Sequence, residues 1–238
     1  MTEPKETTRR WVEAGDAMIE RILWSLGTDD PNYEQPSELP GWTRKHLLAH
    51  VAANADAVGN LVTWARTGIE TPMYSSTTQR ADDIEKGSKL SAEELVAWYE
   101  RSARELAEGW DGLDDAQWDA QVKTAQGRLV PASETPWMRA REVLVHAVDF
   151  GDSVSFADLP ADFCAALVTD IVGKRSKGGN PAVVVVPTDS DERWEVTGEG
   201  APVTVTGPLD ELTAYLAGRP FDGVTTAGGE PVPALPPW

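Results

Sequence analysis

The sequence contains a single cysteine, Cys164, and only three histidines among its 238 residues. One cysteine excludes an internal disulfide and any metal cluster built on several thiolates. Cys164 itself lies in DFCAALVTDIV, an apolar segment of helical periodicity, which predicts a buried and inert thiol. The histidines and the carboxylates are therefore the residues to consider for a metal site.

Basic residues are also scarce, since 21 Lys and Arg face 39 Asp and Glu, for a net charge of −18. No basic stretch exists to neutralise phosphates, which argues against a nucleic-acid partner and against binding to an anionic membrane surface. No apolar run approaches the length of a membrane span, and MTEPKETTRRW lacks the apolar region of a signal peptide. We therefore expect a cytoplasmic protein that binds neither nucleic acid nor membranes.

Helical periodicity bounded by capping residues predicts four long helices, at about residues 6–26, 43–67, 91–109 and from 135 onward. Four such helices favour an antiparallel bundle, a scaffold that often holds metal ions in its core. Residues 28–41 and 68–90 are rich in Pro, Gly and small polar residues, so we predict irregular loops there.

The pattern changes after about residue 150. A further helix, PADFCAALVTDIVGKR, is followed by the β-branched run AVVVV. Then RWEVTG and APVTVTG alternate apolar and polar residues around GEG, which predicts a β-hairpin, and LDELTAYLAGR predicts a closing helix. We expect an α+β protein with a helical domain at residues 1–155 and a smaller α/β domain at residues 156–238.

All three histidines belong to pairs with helical i, i+4 spacing, His46 with His50 and Glu142 with His146. His50 falls in the apolar stripe of its helix, whereas His46 lies one turn earlier, near the exposed start. Two helices side by side could therefore direct His50, Glu142 and His146 to one point. Two imidazoles, one carboxylate and an open fourth position are typical of a catalytic zinc site.

A metal is not the only interpretation of this pattern. His50 could be a core histidine with its hydrogen bonds satisfied, and Glu142 could form an ordinary ion pair on a solvated face. A di-iron bundle is disfavoured because that design repeats Glu-x-x-His on two helices. Here the spacing is Glu-x-x-x-His, and it occurs once.

Several long segments resemble the mycothiol-dependent maleylpyruvate isomerase family over nearly the whole chain. They are GWTRKHLLAHVAANADAVGNLVTWARTG, ETPMY, TAQGRLVPASETPWMRAREVLVHAVDFG and AGRPFDGVTT. The resemblance implies an N-terminal DinB-like four-helix bundle that holds zinc. It also implies a C-terminal α/β domain that contributes to the active-site cleft.

Position by position, the resemblance implies zinc ligands at His50, Glu142 and His146 and catalytic arginines at Arg80 and Arg219. The implied reaction is the cis-trans isomerisation of maleylpyruvate to fumarylpyruvate in gentisate breakdown. A zinc-bound thiolate of mycothiol adds to the double bond, the new single bond rotates, and the thiolate leaves. The two guanidinium groups are suited to hold the substrate carboxylates, which they bind bidentately.

Asn54 lies one turn beyond His50 and could orient the thiol cofactor or a water, or could be a polar residue satisfied within the bundle. Two other functions remain open at this point. The zinc-thiolate could transfer mycothiol to another electrophilic metabolite or xenobiotic, leaving a stable thioether. The chain could also be a non-catalytic binding or regulatory protein, although zinc-binding anti-sigma factors use cysteine ligands that are absent here.

Overall fold

The computed structural model describes residues 3–151 and 154–236. The chain forms two compact units, of which the first ends at Val154 and the second begins at Ser155. The first unit is helical and the second combines helices with a small sheet, so the predicted α+β class is confirmed. Among the helices of the described ranges, none combines the length and apolar character needed to span a membrane.

Four long helices build the first unit, with shorter elements between them. The helices are α1 (Lys5–Leu26), α2 (Asp30–Tyr33), α3 (Arg44–Thr67), α4 (Gln79–Gly87), α5 (Ala92–Asp111), α6 (Asp115–Trp118) and α7 (Thr135–Asp149). A two-stranded antiparallel ribbon, β1 (Gln121–Lys123) and β2 (Leu129–Pro131), precedes α7. Helix α3 packs against α4, α5 and α7, and α1 packs against α7.

Helix α3 occupies the centre of this unit, and its residues are buried on most of its faces. Many of them are alanines, which allow neighbouring helices to approach closely without a loss of helix propensity. A capping box at Thr43 begins the helix and Gly68, at φ 71°, ends it. Polar side chains on α3 are therefore carried into the interior of the bundle.

The prediction of an irregular segment at residues 68–90 is wrong for its second half, where α4 forms, and the predicted loop at 28–41 contains the short helix α2. Ile84 is the one large apolar residue of QRADDIEKG, so no helical periodicity is visible there. The other residues are mostly good helix formers. Packing of α4 on α3, with Ile84 buried and Gly87 against Ala49, stabilises the helix.

The second unit contains two helices and a four-stranded sheet. Its elements are α8 (Ala161–Arg175), β3 (Pro181–Pro187), β4 (Trp194–Val196), β5 (Glu199–Gly207), α9 (Leu209–Leu216) and β6 (Thr225–Thr226). The strand order is β4-β3-β5-β6, and only the pairing of β3 with β5 is parallel.

The predicted hairpin between RWEVTG and APVTVTG is wrong, because β4 and β5 lie on opposite sides of β3 and do not pair. The valines of β3 are buried on both faces, so this strand takes the centre of the sheet. The chain crosses the start of β3 at Gly198, whose missing side chain leaves room for the backbone of Asn180 and Pro181.

Candidate metal centre

Three side chains from two helices converge in the first unit, and we call them the donor cluster: His50 on α3, and Glu142 and His146 on α7. The Oε2 atom of Glu142 lies 2.9 Å from Nε2 of His50 and 3.3 Å from Nε2 of His146. One donor atom from each residue lies within 4.8 Å of the other two. The structure therefore brings together the three residues that the sequence singled out.

Local helix geometry, together with hydrogen bonds that join the start of α3 and the end of α7, brings these side chains together. Glu142 and His146 are one turn apart and share a face of α7. Arg44, in the first turn of α3, donates from Nε to the carbonyl of Phe150, 3.0 Å away, just after the end of α7. The backbone N–H of Glu38 also donates to the carbonyl of Asp149, at 2.8 Å. These bonds hold the start of α3 against the end of α7.

The third histidine, His46, has a different place in the structure. Its Nδ1 lies 2.8 Å from the hydroxyl of Thr43 and accepts from the Thr43 N–H at 3.3 Å. His46 therefore completes the cap at the start of α3. It does not belong to the donor cluster in the described part of the chain.

The contacts within the donor cluster shift the pKa values of its side chains from their ordinary values. Desolvation raises the pKa of Glu142, but hydrogen bonds from His146 and His50 outweigh it and lower this pKa well below its usual range. Burial lowers the pKa of His50, which is 4% exposed, and the hydrogen bond with Glu142 only partly opposes it. At neutral pH Glu142 is therefore an anion, and His50 is a neutral imidazole with a lone pair to offer.

His146 is flanked by two carboxylates. Its Nδ1 lies 2.8 Å from Oδ2 of the buried Asp149, and its Nε2 faces Glu142. Desolvation lowers the pKa of His146, but hydrogen bonds with Asp149 and Glu142 outweigh it and raise this pKa to about 9. A proton therefore occupies this position in the protein alone, and a bound cation would take its place.

The chemistry of the donor set fits a zinc ion. Zinc binds histidine nitrogens and carboxylate oxygens at about 2.0–2.2 Å, which places tetrahedral donors about 3.3 Å apart. The separations of 2.9 and 3.3 Å are close to that value. Glu142 and Asp149 also provide two negative charges for a divalent cation. Glu142 keeps 28% of its side chain accessible, so an ion can reach it.

Arg80, a predicted catalytic residue, lies beside the donor cluster. Helix α4 carries it, and its Nη2 is 3.4 Å from Nδ1 of His50. Burial raises the pKa of the Tyr74 phenol, and the charges of Arg80 and Glu142 both act on it. A cation and a hydroxyl therefore flank the three donors.

Asn54, the predicted cofactor-binding residue, is buried one turn beyond His50 on α3. Its Oδ1 accepts from Nη1 of Arg139 at 3.2 Å, and the same nitrogen donates to the carbonyl of Val51 at 2.6 Å. Arg139 is fully buried and also reaches Asp16, 3.4 Å away. One end of the Asn54 amide thus belongs to a buried polar network of the bundle.

Arg219, the other predicted catalytic arginine, belongs to the second unit. It follows α9, and its Nη1 donates to the carbonyl of Ala217 at 2.7 Å. Its backbone N–H bonds to the carbonyl of Ala214 at 2.9 Å. The loop that carries it is therefore anchored to the last turn of α9.

Sequence reasoning assigned no role to Tyr74, Asp149 or Arg139. Asp149 had a detectable signal, because it lies three residues after His146 on the same helical face. Tyr74 lies in the ETPMY segment, where no periodicity indicates a site. In the sequence Arg139 looks like an ordinary exposed basic residue. Its structural role becomes visible only because the structure shows that it is buried.

Comparisons with known proteins identify the family of both parts of the chain. Residues 12–151 match the family described as the mycothiol maleylpyruvate isomerase N-terminal domain, and residues 158–237 match the MDMPI C-terminal domain. A search of the curated proteins finds no significant match.

Two similar crystal structures are those of the mycothiol-dependent maleylpyruvate isomerase and of a variant of it with one histidine replaced by alanine. Each is 40% identical to this chain with a TM-score of 0.92, covering 99% of this chain and 98% of the other. The resemblance drawn from the sequence motifs is thereby confirmed. The chain belongs to the mycothiol-dependent maleylpyruvate isomerase family.

Proposed function

We propose that this protein is a mycothiol-dependent isomerase that converts maleylpyruvate to fumarylpyruvate. The observation that carries the proposal is the donor cluster. It occurs in a chain that is 40% identical, over 99% of its length, to a mycothiol-dependent maleylpyruvate isomerase. A site with three protein donors suits catalysis, because a structural zinc site would fill all four positions from the protein.

His50, Glu142 and His146 would hold the zinc ion. When bound there, zinc supplies an open coordination position at which a thiol ionises to a nucleophilic thiolate. Glu142 contributes the negative charge, and its lowered pKa keeps it ionised. Burial lowers the pKa of His50, so its ring is neutral and carries no positive charge that would repel the ion.

Arg80 would bind a carboxylate of the substrate. Maleylpyruvate carries two carboxylates, and a protein with a net charge of −18 repels such an anion unless cations are placed locally. Arg80 supplies that charge beside the donors, and Tyr74 adds a hydroxyl next to it. A guanidinium can also stabilise the negative charge that develops on the substrate oxygens as the double bond is attacked.

Three further assignments belong to this proposal. Arg219 of the second unit would bind the other substrate carboxylate, and Asn54 would orient the thiol cofactor through the end of its amide that faces away from Arg139. The domains would correspond to residues 1–155 and 156–238. A cytoplasmic location without a nucleic-acid partner suits a reduced thiol cofactor and a strongly acidic chain.

The decisive experiment measures fumarylpyruvate formation from maleylpyruvate by the zinc-loaded protein with and without mycothiol. We expect turnover only when the thiol is present. His50→Ala should abolish it, whereas His46→Ala, the matched control in the helix cap, should retain it. Turnover without thiol contradicts the proposal, and so does a stable thioether product, which would indicate an S-transferase.

A further inference from the structure

Asp149 stands directly behind one member of the donor cluster. It is the last residue of α7, its side chain is 0% exposed, and its Oδ2 lies 2.8 Å from Nδ1 of His146. The i, i+3 spacing places both side chains on the same face of the helix. Asp149 therefore contacts the ring nitrogen of His146 that points away from Glu142.

The position of Asp149 is an unfavourable one for a carboxylate. Burial removes its hydration, and the negative end of the helix dipole at the C-terminus of α7 repels its charge. The contact with His146 offers a reason why the charge is placed at this point.

An ionised carboxylate only accepts hydrogen bonds, so Asp149 requires the Nδ1 atom of His146 to carry a proton. In the neutral ring the other nitrogen, Nε2, then keeps its lone pair, and it faces Glu142 at 3.3 Å. The same hydrogen bond fixes the rotation of the ring. His146 is thus held in the tautomer and orientation that a metal ligand needs.

Among the residues that the structure describes, no carboxylate supports His50 in this way. Its Nδ1 faces the cationic Nη2 of Arg80 at 3.4 Å, and a guanidinium cannot accept a hydrogen bond. The two imidazoles of the donor cluster are therefore not equivalent. His146 forms a hydrogen bond with a buried carboxylate. The ring of His50, a residue of α3, instead makes an edge contact with Trp42, at 5.5 Å between ring centroids.

We propose that Asp149 is a positioning residue, which fixes the tautomer and ring orientation of His146 so that Nε2 is presented to the metal ion. This rests on the proposed function, in which His146 binds zinc. Asp149 does not touch the substrate or the metal. Replacement of Asp149 should therefore lower the affinity for the metal ion directly, and turnover only as a consequence of that loss.

The test is zinc binding to the metal-free protein, measured by competition with a chromophoric chelator. Carboxylate partners of metal-bound histidines are typically worth about 10–100-fold in affinity, and we expect Asp149→Ala to lose that much. Asp149→Asn keeps an acceptor oxygen, so its loss should be less than about tenfold. Asp30→Asn is the matched control, a hydrogen-bonded aspartate of the same unit whose partners are Lys45 and the N–H of Ala92.

Cobalt(II) provides a second readout, because its visible spectrum reports ligand geometry. We expect an altered spectrum for Asp149→Ala and a spectrum close to that of the wild type for Asp149→Asn. Thermal unfolding of the metal-free variants separates damage to folding from loss of metal affinity. Wild-type zinc affinity and a wild-type cobalt spectrum in Asp149→Ala would overturn the proposal. Tight zinc binding by the wild type without thiol-dependent isomerisation would instead overturn the proposed function.

Discussion

Replacement of Arg139 by methionine should destabilise the helical unit, because this buried guanidinium links three parts of the bundle. It donates to the Val51 carbonyl at 2.6 Å and to Asn54 Oδ1 at 3.2 Å, and it lies 3.4 Å from Asp16. Methionine retains much of the side chain's apolar contact but provides no donor. The substitution therefore isolates the polar contribution.

The expected cost follows from those contacts. Two hydrogen bonds from a charged donor contribute about 1.5–3 kcal/mol each, or roughly 3–6 kcal/mol together. The Nε atom of Arg139 is buried without a hydrogen-bond partner in the described residues. The cost of burying it offsets about 1–3 kcal/mol of the stabilisation that the two hydrogen bonds provide. Asp16 keeps 21% of its side chain exposed, so that ion pair adds little. The expected net loss is therefore about 3 kcal/mol.

Urea unfolding of the metal-free protein, followed by tryptophan fluorescence, measures this loss. Arg104→Met is the matched control, since it makes the same change at an exposed arginine of helix α5. We expect the control to change the free energy of unfolding by about 0.5 kcal/mol or less. Equal costs for the two variants would refute the stabilising role of the buried network around Arg139.

Three other predictions concern separate features. Burial raises the pKa of Cys164 to about 12, so a thiol reagent at pH 8 should label it only after unfolding; rapid labelling of the native protein would contradict this. Arg80→Ala should lower kcat/KM about 10–100-fold, the equivalent of one charged hydrogen bond, with zinc retained, while Lys89→Ala on the exposed surface leaves kcat/KM unchanged. Gly198→Ala should destabilise the second unit, because the new Cβ meets the backbone of Asn180 and Pro181. Gly173→Ala, in open space on α8, should stabilise it by about 0.5–1 kcal/mol; similar unfolding midpoints for the two alanine variants would rule this out.

The failures of sequence reasoning share a physical cause. Helix α4 carries a single large apolar residue, so its helical state depends on packing against α3 and not on a visible period. The strands β4 and β5 each alternate like the arms of a hairpin, but β3 separates them. Alternation shows which face of a strand is buried and contains no information about its partner.

The sequence by itself determined the four long helices, the change of architecture after about residue 150, and the pairing of Glu142 with His146. These depend on periodicity and local helix geometry, which neighbouring residues encode. Tertiary structure alone decided that Nε2 of His50 lies 2.9 Å from Glu142, and that Arg80 and Tyr74 lie beside the donors. Those contacts join segments far apart in the chain, and the packing of neighbouring elements on α3 brings them about.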